Sequence, residues 1–91
     1  MHADQHKHTK AVANRLARAE GHLRGVRRMV EEGAPCPDVL VQIAAVRAAL
    51  DRAARIVLSD HMESCLRQAA EGEAADKAWE EFKHALERYI G

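Results

Sequence analysis

The 91 residues make one domain, short enough that a lone chain buries only a modest core and gains stability by oligomerising. Two cysteines are too few for a disulfide scaffold, no apolar signal sequence opens the chain, and no apolar run reaches the length of a membrane span. Secreted disulfide-rich and membrane classes are thereby excluded, and a reducing cytoplasm with no membrane partner is the expected setting. The formal net charge of zero hides an asymmetry: residues 1–30 carry Lys7, Lys10, Arg15, Arg18, Arg24, Arg27 and Arg28 against Asp4 and Glu20, a balance of +5, and the remainder is −5. A basic segment on a neutral chain marks a candidate polyanion-binding face, with a solvated helix face as an equally weighted alternative.

Residues 1–8 are polar and aperiodic and read as a flexible tail; His2, His6 and His8 are potential metal donors there, but a solvated tail is the favoured reading. From residue 9 to the end the chain reads as a single helical domain. In the first helix, Val12, Leu16, Ala19, Leu23, Val26 and Val30 recur at alternating spacings of four and three, a heptad seam with the arginines off it. Gly21 and Gly25 share a helix face, and Gly33 is a C-cap candidate. Pro35 and Pro37 flank Cys36 and mark the start of a second helix, since proline is tolerated in a first turn and poorly inside a helix. Residues 36–66 read as one long helix with a second seam, Val39, Ile43, Val46, Leu50, Ala53 and Val57, and with Arg47, Arg52 and Arg55 off it. The sequence AEGE at 70–73 breaks the pattern, with Gly72 as the turn. A third helix, over about residues 74–90, places Trp79, Phe82, Leu86 and Tyr89 on one face, expected to pack in the core. The predicted fold is all-α: three helices per chain, with the first two of each chain building an antiparallel four-helix-bundle dimer.

Cys36, His61 and Cys65 carry the chemistry. His61 and Cys65, four residues apart, share a helix face. Cys36 precedes His61 by 25 residues, roughly 37 Å along a straight helix, so a shared site must take Cys36 from a second chain. Antiparallel pairing does this with a two-fold axis near Ala49 and Leu50, in an alanine-rich stretch suited to close helix crossing, and it generates two equivalent sites. Two thiolates and an imidazole form a three-coordinate set that Cu(I) accepts. Structural Zn(II) prefers a fourth ligand, and square-planar Ni(II) needs a further nitrogen or oxygen, which the tail histidines offer. Two other classes compete. A Cys36 nucleophile with His61 as base would make an enzyme, but no Gly-rich loop or paired carboxylates support it, so neither an enzyme nor a small-molecule substrate is expected. A thiol redox switch joining Cys36 and Cys65 of two chains leaves His61 unexplained.

The segments NRLARAEGHLRGVRRMVEEGAPC and VLVQIAAVRAALDRAARIVLSDHMESC resemble the copper-sensing operon repressor family and its nickel/cobalt- and formaldehyde-sensing relatives, over about residues 9–90. The resemblance implies an all-helical dimer that pairs into a tetramer, a dimer of dimers lacking a helix-turn-helix. It implies trigonal Cu(I) held by Cys36 of one subunit and by His61 and Cys65 of another. It also implies a basic DNA-binding surface to which Arg15 and Arg52 correspond most closely; Arg18 and Arg55 join them by helical proximity. Glu81 matches a carboxylate that the family links to the metal-bound histidine, whereas the matching tyrosine position is Pro35 here, a departure in the coupling network. The implied function is a Cu(I)-responsive transcriptional repressor that binds operator DNA in its apo form and releases it on Cu(I) binding, derepressing copper-handling genes. A nickel-responsive repressor of the same family is the nearest alternative: one nickel-sensing type resembles the Cys–His–Cys pattern with an added N-terminal histidine. Asp4 stands roughly where that histidine would fall, between His2 and His6. A cysteine-based redox or electrophile sensor is the other alternative.

Overall fold

A computed structural model of the chain describes residues 8–70 and 76–91, apart from a few side chains near the α2–α3 junction. It contains α1 (Thr9–Glu31), α2 (Cys36–Ala70) and α3 (Asp76–Ile90). The break expected around Gly72 falls at 71–75, outside the described residues, as do His2 and His6; His8 is exposed in the turn that leads into α1.

The α1–α2 corner is built by backbone chemistry. Gly33 adopts φ +78°, its N–H donates to the Val30 carbonyl at 3.1 Å, and the Ala34 N–H reaches back to the Met29 carbonyl at 2.9 Å. These two bonds are the Schellman pair that satisfies the last carbonyls of a helix, and the left-handed conformation they need is free of a Cβ clash only for glycine. The Pro35 carbonyl then accepts from the N–H groups of Asp38 and Val39 at 3.0 and 3.1 Å, starting α2 directly. Asp38 in the first turn complements the helix dipole.

α1 packs extensively along α2. Each heptad seam is split by this packing. Val12, Ala19 and Val26, seven apart, are buried against α2, and Val46 and Ala53 are buried against α1. The alternate members, Leu16, Leu23 and Val30 on α1 and Ile43, Leu50 and Val57 on α2, stay exposed; Leu23 is 55% and Leu50 43% accessible. A helix pair can cover only one edge of each stripe, so the other edge has no cover within the chain. The Cα trace measures 57 × 26 × 14 Å, an elongated slab, and no described large side chain is completely removed from solvent.

α3 folds back along α2, with Phe82 beside His61 and Tyr89 beside Asp51. The expectation that its whole aromatic face packs in the core needs correction. Phe82 and Leu86 are half-buried, but Trp79 and Tyr89 are exposed, because α2 alone covers only the centre of the stripe.

Candidate metal centre and basic face

α2 runs unbroken for 35 residues, so Cys36 and His61 lie at opposite ends of one rod. Cys36, the first residue of α2, is an exposed free thiol. Cys65 follows His61 by one helical turn, and its side chain lies outside the described part. Among the described residues of a single chain, no three His, Cys, Asp or Glu side chains are gathered to hold a metal ion.

His61 is half-buried, and its imidazole lies face to face with the Phe82 ring, centroids 4.4 Å apart and planes 16° from parallel. Trp79 meets Phe82 at 5.9 Å in a tilted arrangement. The His61 Nε2 is buried and has no hydrogen-bond partner among the described residues. A buried polar atom left in that state is unfavourable, and in a protein it asks for a ligand, an ion or a partner. An imidazole with thiols as the other donors is a set that fits a soft metal ion. Glu81 is exposed beside Phe82 in sequence and makes no hydrogen bond to the His61 Nε2.

The basic face has a defined centre. Arg15, Arg18 and His22 of α1 and Arg52 of α2 surround a shallow depression of about 220 Å³, with Ala19 and Ala49 also lining it. Two short alanine side chains leave room between longer cationic neighbours. His22 also ties the helices together, its Nε2 lying 2.7 Å from the Gln42 Oε1. The sequence reading passed over His22, although its spacing from Arg15 and Arg18 (i, i+3, i+7) puts all three on one stripe. Arg55 stands apart from this group. It lines a largely apolar groove of about 520 Å³ between α2 and α3, together with Asp51, Phe82, Leu86 and Tyr89. There the Tyr89 hydroxyl donates to the Asp51 Oδ1 at 2.5 Å. This bond, with lesser help from desolvation and the Asp51 charge, raises the phenol pKa above its ordinary 10.0, while the Arg55 charge acts the other way.

The profile of the metal-sensitive transcriptional repressors matches residues 8–88. The chain belongs to that family. Its relatives are repressors, not enzymes. This chain is 47% identical over 60 residues to the copper-sensing transcriptional repressor CsoR of Mycobacterium ulcerans (strain Agy99), an alignment covering 66% of this chain and 51% of that protein. It thus spans about half the length of that curated relative. Among solved structures, the nickel-responsive transcriptional regulator InrS superimposes with a TM-score of 0.79 at 48% identity, over 97% of this chain and 99% of that one. The copper-sensing repressor CsoR with Cu(I) from Geobacillus thermodenitrificans NG80-2 gives a TM-score of 0.81 at 31% identity, over 90% and 85%. No helix among the described residues is long and apolar enough to cross a membrane.

Proposed function

We propose that the chain is a Cu(I)-responsive repressor that binds operator DNA without metal and releases it when Cu(I) binds. One observation carries this: unbroken α2 holds Cys36 far from His61, while half of each apolar seam lies exposed beside it. A second chain laid antiparallel covers Leu16, Leu23, Ile43, Leu50 and Val57 and brings its own Cys36 to the end of α2 where half-buried His61 stands. Cys36 of one chain with His61 and Cys65 of the other would hold the ion, which supplies a soft acceptor joining two subunits. Glu81 on α3 would accept a hydrogen bond from the remaining His61 ring nitrogen. Arg15, Arg18 and Arg52 would meet DNA phosphates, and pairing of dimers into a tetramer would lengthen that face; Arg55 would join it only at its edge. Coupling of the usual size, 1–3 kcal/mol, would weaken operator binding by roughly 5- to 150-fold.

The similarity to InrS favours Ni(II) as a second reading, with His2 or His6 completing the ligand set. The test is an anaerobic titration of the reduced protein with Cu(I), in the presence of labelled duplex selected from random DNA by the apo protein, repeated with Ni(II) and Zn(II). One Cu(I) per chain with DNA release at that stoichiometry supports the copper sensor. Release by Ni(II) alone transfers the function to nickel. Release by none of the three overturns metal sensing and leaves Cys36 and Cys65 as a redox or electrophile sensor.

A further inference from the structure

We infer that Phe82 is the positioning residue for metal at His61 and the link through which α3 responds to it; this rests on the metal-sensing reading above. The stack at 4.4 Å and 16° is the one ring contact made by the His61 imidazole among the described residues, and it fixes the plane of that ring. Nε2 has no hydrogen bond to share in that task. A phenyl ring suits the role because it offers neither donor nor acceptor. It restrains the imidazole without capping either ring nitrogen, whereas a polar neighbour would compete with a metal for a nitrogen lone pair. Trp79, tilted against Phe82, supports the ring in turn.

An imidazole that donates a ring-nitrogen lone pair becomes poorer in electrons, and its stacking on the electron-rich face of a neutral arene becomes more favourable. Ligation at His61 and docking of α3 on α2 therefore strengthen each other, and by reciprocity loosening α3 weakens ligation equally. Seven residues after Phe82, roughly 10 Å along α3, the Tyr89 hydroxyl holds Asp51, whose neighbour Arg52 belongs to the basic depression. α3 thus grips α2 at two points, one at the metal-binding histidine and one beside a DNA-facing arginine.

The test uses the full chain with Phe82→Leu, which keeps apolar bulk, and Phe82→Tyr, which keeps the ring. In the apo wild type, NMR should show the His61 ring protons shifted upfield by the Phe82 ring current. That shift should vanish in Phe82→Leu and persist in Phe82→Tyr. Anaerobic chelator competition should show Cu(I) affinity falling roughly 2- to 12-fold in Phe82→Leu, the range that a lost aromatic pair allows, with recovery in Phe82→Tyr. Cu(I)-driven DNA release should weaken in parallel. A wild-type apo spectrum without the ring-current shift overturns the inference whether or not the leucine variant folds. So do wild-type affinity and release in Phe82→Leu, or equal losses in both variants. Those results leave metal sensing intact, whereas a wild type that binds neither Cu(I), Ni(II) nor Zn(II) removes both.

Discussion

Leu50→Glu separates the packing inside one chain from the packing between chains. Leu50 lies on the α2 edge that α1 leaves uncovered and keeps 43% of its surface accessible in the single chain. Glutamate is nearly as good a helix former as leucine, so α2 itself should tolerate the change. Complete burial of a leucine is worth about 1.5–3 kcal/mol, so the part still exposed here represents about 0.6–1.3 kcal/mol per chain. A two-fold interface counts it twice, and two carboxylates forced close to the axis add several kcal/mol of desolvation. A total of at least about 4 kcal/mol corresponds to dimerisation roughly a thousand-fold weaker. Sedimentation velocity over a concentration series, with circular dichroism alongside, measures this. The variant should dissociate at concentrations where the wild type remains paired, and helicity should fall as it does. A Leu50→Glu protein that sediments as a dimer with wild-type affinity would refute the assignment of this seam to a second chain.

Arg15→Ala and Arg52→Ala should each weaken operator binding across sequences and reduce the slope of log affinity against log salt by about 1, with Cu(I) affinity unchanged, as read by fluorescence anisotropy. In His61→Ala, chelator competition should still find copper held by the two thiolates, while anisotropy shows blunted DNA release; full release would remove His61 from the signalling path. Gly33→Ala places a side chain at φ +78° and should destabilise by about 1–2 kcal/mol, visible as a lower melting temperature at fixed protein concentration. Tyr89, the sole tyrosine, should ionise above pH 10.0 in an ultraviolet titration and move back toward that value in Asp51→Asn. The phenol is favoured in its neutral form by folding, so its contact with Asp51 contributes below pH 10.0 and is lost as pH rises through the raised pKa.

Local chemistry made the helices legible. The Pro35–Cys36–Pro37 run and Gly33 announced the α1–α2 corner, and the structure places the α1 cap and the first residue of α2 there. The heptad seams were equally visible, but periodicity marks a stripe that must be covered without saying by what. Only the fold shows that Val26 and Ala53 face their own chain while Leu23 and Leu50 do not. The separation of Cys36 from His61 followed from helix rise alone, and unbroken α2 agrees with it. The pairing of His61 with Phe82, and of Asp51 with Tyr89, joins positions whose nearness depends on how α3 returns along α2, which no spacing within a helix encodes. For the same reason Arg55, one turn from Arg52 in sequence, faces the α2–α3 groove while Arg52 faces α1.

The length of α2 also bears on how two bound ions in a dimer would sense each other. In the proposed pairing the ligand sets sit at opposite ends of the paired rods, roughly 37 Å apart. Ionic screening acts over about 8 Å at physiological salt, so the charge arriving at one end is not felt electrostatically at the other. Any cooperativity between the two sites must travel as a movement of the rods themselves, and a dimer in which α2 stays rigidly seated would fill its sites independently.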